Sequence, residues 1–285
     1  MSAVRRTAVA GTWYPGTPTE LTTAVDRLLA AVERDTDLPP RLRAIIVPHA
    51  GLVYSGPVGA FAFAALDSTA YRSIVLVGPS HFVPFRGVSV WPDGAWDTPL
   101  GAIAVDSRLA ASIKEHSPLV VERPTAHARE HSLEMQLPFL ARCLPGRPIV
   151  PLVMGHQNRE TAEDLGRALA RAVVDAESDP AIGARDGGSV LLVASSDLSH
   201  YFDARDAQAL DTVVLEHVSA LDPDGLMRAL EREPQHACGG GPMVAVLHAA
   251  RALGSTHASV LCYRDSGDVS GDKSSVVGYM AAAIW

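Results

Sequence analysis

Four short apolar runs, Ala44 to Val47, Ile74 to Val77, Ile149 to Val153 and Val190 to Ala194, constrain this chain more than any other feature. Each is continuous rather than alternating, so each reads as a strand buried on both faces, which requires helices on both sides of the sheet. Helical patterns supply that cover. Thr17-Pro18-Thr19-Glu20 offers a cap, a proline at the first helical position and a glutamate three residues after the cap. Leu21, Val25, Leu28, Leu29 and Val32 then recur at helical spacing before Pro39-Pro40. Leu165, Ala168, Leu169, Ala172 and Val173 repeat the pattern between the third and fourth runs. Strands alternating with helices predict parallel pairing. Two segments depart from that order. Val88-Ser89-Val90-Trp91, a Pro-Asp-Gly turn and Gly101 to Val105 predict a β-hairpin within Gly87 to Val105, and Ala258 to Tyr263 and Ser275 to Ala282 predict two more strands around a polar loop. The expected fold is α/β, with a central mixed, mostly parallel sheet flanked by helices. The polar stretch Glu177 to Gly188 has strand patterns continuing around it, so one domain over residues 1–285, without internal repeats, is expected.

Composition narrows the functional classes. A chain of 285 residues with 47% hydrophobic and 20% charged residues can bury a full core. The net charge of -8 is spread along it, with no basic run to neutralise a nucleic-acid backbone. No apolar stretch of about eighteen residues suggests a membrane span, and Met1 to Ala10 carries no leader pattern, so a cytoplasmic protein is expected. Cys143, Cys238 and Cys262 are too few for a disulfide framework, and each must be judged by its neighbours.

Open α/β sheets place ligands at the carboxyl ends of their strands. Here the four runs lead into Pro48-His49-Ala50-Gly51, Gly78-Pro79-Ser80-His81, Gly155-His156 and Ser195-Ser196-Asp197-Leu198-Ser199-His200. One histidine at a strand end is an ordinary hydrogen-bonding residue. Four at the same end are better explained by a shared metal or acid–base site. His236-Ala237-Cys238-Gly239-Gly240-Gly241-Pro242 adds a thiol just before an apolar helical pattern, where a helix N-terminus favours the thiolate. Cys143 and Cys262, in an apolar helix and a strand, read as small core residues. His131 and Glu134, three apart, would share a helix face and back the site from a second layer; a merely solvated pair is an equal alternative. Trp13, Tyr14, Tyr54 and Phe82 lie near these motifs in sequence and would suit a planar or apolar substrate, although core packing explains them too. The chain lacks a serine nucleophile elbow, a phosphate loop, a dinucleotide-binding glycine motif and a Cys-x-x-Cys pair.

Read in order, Ala10-Gly11-Thr12-Trp13-Tyr14-Pro15, Pro48-His49-Ala50-Gly51-Leu52-Val53-Tyr54-Ser55-Gly56, Gly78-Pro79-Ser80-His81, Glu130-His131-Ser132-Leu133-Glu134-Met135, Ser195 to Tyr201 and Cys238-Gly239-Gly240-Gly241-Pro242 resemble the Memo family from about residue 6 onward. The resemblance implies a fold similar to the class III extradiol ring-cleaving dioxygenases, which hold non-haem iron on two histidines and a glutamate. It implies His49, His81 and Cys238 as the corresponding metal ligands. A thiol in place of the carboxylate changes the charge and softness offered to the metal. The resemblance also implies partners, because bacterial and archaeal members, known as the second protein of the AmmeMemoRadiSam system, are often encoded beside a radical-SAM protein.

Two imidazoles and a thiolate leave coordination positions open, the pattern of a reactive site. Such ligands suit a divalent iron or copper ion, with zinc also compatible, over magnesium and calcium. The leading expectation is a metal-dependent oxidoreductase acting on an unidentified small molecule, with His200 as acid–base partner and Asp197 orienting it. His131, Glu134, His156, Tyr54 and Ser80 are expected around the pocket. The alternatives are a non-catalytic metal-binding, redox-protective or scaffold protein with a vestigial pocket and, behind it, a cysteine hydrolase built on Cys238. A symmetric homodimer is the default assembly.

Overall fold

The computed structural model describes residues 4–33, 37–178 and 188–285; most of the polar stretch between Glu177 and Gly188, residues 179–187, lies outside the described residues. Its strands are β1 (Val4–Arg5), β2 (Ala44–Val47), β3 (Tyr71–Pro79), β4 (Val88–Val90), β5 (Ala95–Trp96), β6 (Ile103–Ala104), β7 (Val120–Glu122), β8 (Ile149–Met154), β9 (Ser189–Ser195), β10 (His200–Phe202), β11 (Ala258–Asp265) and β12 (Val276–Ile284). The main helices are α1 (Pro18–Ala30), α2 (Leu52–Ala64), α3 (Ser107–Glu115), α4 (Pro124–His127), α5 (Leu137–Cys143), α6 (Arg159–Ser178), α7 (Ala204–Ser219), α8 (Pro223–Arg232) and α9 (Gly240–Ala252).

The large sheet runs β10-β12-β2-β9-β3-β8-β4-β7, with β11 also on β12. The four continuous apolar runs are its parallel centre, in the register Ile45 opposite Val193, Val193 opposite Leu76 and Leu76 opposite Pro151. Their side chains alternate between two cores. Ile46, Val75, Val77, Val150, Leu152, Val190, Leu192 and Ala194 pack on one face, while Ile45, Val47, Ile74, Leu76, Ile149, Val153, Leu191 and Val193 pack on the other. Burial on both faces is why these strands show no polar alternation.

The antiparallel flanks are β4 against β8 on one side and β10 and β11 against β12 on the other, so the α/β mixed-sheet expectation holds. The hairpin expected within Gly87 to Val105 divides between two sheets. Val88–Val90 pairs with β8 and β7, whereas Ala95–Trp96 pairs with Ile103–Ala104 and with β1 in a small separate sheet. Val88 and Val90 are as buried as a central strand, and that face closes better on β8 than on a hairpin partner exposed to solvent. The predicted cap of α1 is present: Thr17 Oγ1 accepts from Glu20 N and donates to Glu20 Oε2 at 2.6 Å. Because β2, β9, β3 and β8 are parallel and adjacent, the loops that follow them gather along one rim.

Candidate metal centre

His49 leaves the end of β2 in a turn held from β9. Asp197 Oδ1 accepts the backbone N–H groups of His49 at 2.7 Å and Ala50 at 3.3 Å. The ring orientation is set by Ser195, whose hydroxyl donates to the Ser132 carbonyl at 2.7 Å and accepts from Gln136 Nε2 at 2.8 Å. With that hydroxyl proton already committed, the 2.9 Å contact between Ser195 Oγ and His49 Nδ1 is an Nδ1–H donation, which leaves the lone pair on Nε2. The ring is buried, and burial, followed by the neighbouring charge of His81, holds it well below the ordinary histidine pKa. It is a neutral imidazole.

His81, after β3, is held by Glu130. The Glu130 carboxylate is fully buried and accepts four N–H groups: His81 Nδ1, His131 N and Ser132 N at 2.9 Å each, and His81 N at 2.6 Å. Burial alone would raise its pKa, but the hydrogen bonds and charge of His81 and the backbone donors outweigh it and bring the value down to about 2. An ionised Glu130 accepts the His81 Nδ1 proton and leaves Nε2 of His81 free, the arrangement that stands behind metal-bound histidines. Sequence reasoning passed over Glu130; its signal was an acid immediately before His131 in a segment otherwise destined for the core.

His131 completes the cluster. One donor atom each of His49, His81 and His131 lies within 4.8 Å of the other two. The His131 ring stacks on His81 at 4.5 Å between centroids, meets His49 edge-on at 5.6 Å, and is covered by Trp13 at 4.3 Å and Phe82 at 5.9 Å. Its Nδ1 is buried without a hydrogen-bond partner, and burial, then the charge of His49, lowers its pKa to about 4. The helix face that was to join His131 with Glu134 does not form: residues 130 and 131 are irregular, 132 and 133 are turn, and Glu134–Gln136 is a single 3-10 turn. Glu134 therefore points away from the rings. It accepts from Ala8 N, Val9 N and Tyr14 Oη and pairs with Arg5, anchoring the N-terminal segment that lays Trp13 over His131.

Cys238 comes from the turn before α9. Its Sγ is 3.2 Å from His49 Nε2 and 3.6 Å from the Asp197 carbonyl, although it is not part of the mutually close donor group. Gly239 makes the approach possible, because a Cβ there would press into the Ser195 carbonyl. The helix N-terminus does not serve the thiol as expected. Gly239 N donates to Ser196 Oγ and Gly241 N to Gln157 Oε1, each at 2.9 Å. Burial, then the charge of Asp197, pushes the Cys238 thiol well up, leaving a protonated thiol beside a neutral imidazole.

The other predicted residues divide. His200 is half-buried and acts on His49 and Asp197 through charge; the hydrogen bonds of Asp197 go to the backbone of His49 and Ala50, so it orients His49 rather than His200. Tyr201, the bulged residue of β10 at φ 65°, follows it. Behind this loop a carboxylate that sequence reasoning missed, Asp211, accepts from Ser199 N and Tyr263 Oη at 2.8 Å each. Ser80 donates to the Val83 carbonyl and shapes the turn carrying His81. His156 is exposed, Tyr54 is exposed on the first turn of α2, and Tyr14 is buried on Glu134. Trp13 and Phe82 alone among the four aromatics touch the imidazoles.

Together these features define an α/β protein in which three imidazoles gather at the carboxyl rim of the parallel strands, with a thiol at the edge of the group. A family model described as Memo-like protein matches residues 5–283, and the chain belongs to the Memo family. It is 37% identical over 282 residues to a MEMO1 family protein of Methanothermobacter thermautotrophicus, covering 97% of this chain and 98% of the relative. A MEMO1 family protein of Methanopyrus kandleri is 35% identical, with 97% of each chain covered, and one of Thermotoga petrophila is 36% identical, with 99% of each covered.

Proposed function

We propose that this protein is an oxidoreductase of a small substrate that holds one iron or copper ion on His49 and His81, with His131 or Cys238 as third ligand. The observation that carries the reading is the mutual approach, within 4.8 Å, of three imidazole donors, two of which have their tautomers fixed by Ser195 and Glu130. The residues fit a transition metal. Imidazole nitrogens suit iron, copper and zinc over magnesium and calcium, and His131 adds a buried ring whose Nδ1, 3.6 Å from Glu130 Oε1, makes no hydrogen bond. Three protein ligands leave positions open for a reactant. When bound, the ion supplies Lewis acidity and, as iron or copper, one-electron chemistry.

The chain's own residues do the rest. Ser195 and Glu130 keep protons on the Nδ1 atoms of His49 and His81, so Nε2 of each ring faces the site. Trp13 and Phe82 wall one side and limit water, and His200 is the group that exchanges a proton with the substrate. Oxygen or peroxide consumption by iron- or copper-loaded protein, screened over small phenols and thiols, tests the proposal. Turnover should vanish in His49→Ala and His81→Ala and fall about a hundredfold in His200→Gln; full turnover in the first two variants would sink it.

A second reading, metal retention without turnover, is favoured by one contact. The Cys238 thiol, 3.2 Å from His49 Nε2, is a soft donor suited to holding copper. Multiple turnovers with any substrate exclude that reading. A cysteine hydrolase is disfavoured, since burial keeps Cys238 protonated and His49 a weak base.

A further inference from the structure

His200 follows a loop that is buried throughout. Between β9 and β10, Ser196, Asp197, Leu198 and Ser199 are enclosed by protein, so their backbone groups need partners inside the fold. Ser196 N donates to the Val47 carbonyl at 2.9 Å and Leu198 N to the Gly278 carbonyl at 2.8 Å, while Gly278 N donates to the Ser199 carbonyl at 3.0 Å. Ser199 N is met by a side chain instead. Its acceptor is Asp211 Oδ1 at 2.8 Å, in α7.

The Asp211 carboxylate is wholly buried and closely fitted. Tyr263 Oη donates to Asp211 Oδ2 at 2.8 Å, and a Cβ at position 278 would stand 1.9 Å from that same oxygen, so β12 needs its glycine where the carboxylate passes. Burial raises the Asp211 pKa, while the bonds from Ser199 and Tyr263 and the charge of His200 act against the rise. The segment secured by this carboxylate is strained. His200 pairs with Val277 and Phe202 with Val276, which leaves Tyr201 as an extra residue at φ 65° with its side chain 78% exposed. Leu221, the other non-glycine residue at positive φ among those described, follows the end of α7, where that conformation is usual. Tyr201 ends no helix, and its exposed ring gains little from packing to offset the strain. A bulge of this kind re-aims the side chain beside it. On its far side α7 holds the chain again, Asp203 accepting from Arg205 N at 3.0 Å and Asp206 N at 3.1 Å.

We propose that Asp211 is the positioning residue of His200: through the Ser199 N–H it fixes the Tyr201 bulge in the form that turns the His200 ring toward His49 and Asp197. The proposal deepens, and rests on, the reading of His200 as the group that exchanges a proton with the substrate. Asp211 itself touches no reactant. Its two oxygens are taken by Ser199 and Tyr263, and it acts from behind the loop. An asparagine would keep the essential contact, because its amide oxygen can accept from Ser199 N while its NH₂ donates to Tyr263 Oη, which accepts as readily as it donates. An alanine would leave the buried Ser199 N–H unmet and free the bulge to relax.

The test is NMR of the metal-free full chain with labelled histidine rings, the His200 signals being assigned by their loss in His200→Gln. In Asp211→Ala the His200 signals should move to those of a mobile histidine while those of His49, His81 and His131 stay in place, and exchange of the Ser199 amide hydrogen should quicken about tenfold, as the loss of one buried hydrogen bond implies. Asp211→Asn should restore both. Tyr263→Phe, a milder change that serves if the alanine variant does not fold, should displace the His200 signals alone and by less. With any substrate that the loaded protein turns over, Asp211→Ala should lower kcat about tenfold at an unchanged KM, and Asp211→Asn should recover it. Unmoved His200 signals in Asp211→Ala and Tyr263→Phe, or a joint shift of all four histidines, would overturn the proposal, the latter by making Asp211 a general support of the core. Selective displacement of His200 in a protein whose turnover survives His200→Gln would support the positioning and contradict only the proton-exchange role.

Discussion

A carboxylate that accepts four N–H bonds in a buried turn, as Glu130 does, is not interchangeable with an amide. Glu130→Gln would turn an NH₂ group toward donors and leave at least one of them unmet. We expect a loss of about 3 kcal/mol in urea denaturation and a 10- to 100-fold weaker metal affinity, on the order seen for partners behind metal-bound histidines. A normal affinity in the variant would show that His81 does not rely on this carboxylate. His127 sets the pH response in a different way. It is wholly buried, and burial, then the charge of Arg5, lowers its pKa from 6.5 to about 3. Below pH 6.5 the unfolded chain takes up a proton that the folded chain refuses, so this contribution is complete above pH 6.5 and is lost as pH falls toward 3. Between pH 6.5 and 5 it amounts to about 2 kcal/mol. Denaturation midpoints of wild type and His127→Gln at those two pH values check it, and an unchanged slope in the variant would contradict it. Glu130, with its lowered value, adds a further loss between about pH 4.5 and pH 2.

At the scale of elements, the parallel strands were legible because burial on both faces writes itself as an unbroken apolar run. The position of His49, His81 and His200 at one rim followed from parallel pairing alone. Partnership across the chain was not legible. Val88–Val90 reads locally as half of a hairpin, and only the buried edge of β8 shows why it pairs elsewhere. His131 and Glu134 have helical spacing, yet Glu130 accepts the N–H groups of His131 and Ser132 and fixes a turn there, so the two side chains diverge. Ser195 stood within a recognised motif, but its control of the His49 tautomer depends on Gln136 and Ser132, far away in sequence. Gly239, after Cys238, permits a close approach, and the element approached is the end of β9. Gly239→Ala should therefore displace the turn, cost about 2 kcal/mol and raise the reactivity of Cys238 toward a thiol reagent. Unaltered stability and reactivity would mean that the turn yields without moving the thiol.

Across the whole molecule, the site is assembled from segments that only the tertiary fold brings together: the N-terminal strap under Trp13, the ends of β2, β3 and β9, the turn from Glu130 to Gln136, and the Cys238 turn. Arg5 helps to tie them. Its guanidinium pairs with Glu134, donates to the carbonyls of Glu130 and His127, and lies 4.5 Å from the centre of the Trp96 ring. Among the described residues no helix is long and apolar enough to cross a membrane. The central claim is that this assembly exists to hold a transition metal. Its most direct test is elemental analysis of protein purified without oxygen and passed through gel filtration, comparing wild type with His49→Ala, His81→Ala, His131→Ala and Cys238→Ser. The account predicts one tightly held equivalent of iron or copper in wild type, absent from His49→Ala and His81→Ala, with the weaker of the other two variants identifying the third ligand. Protein that carries no iron or copper and takes up neither on reconstitution, or that keeps a full equivalent without His49 and His81, would contradict it.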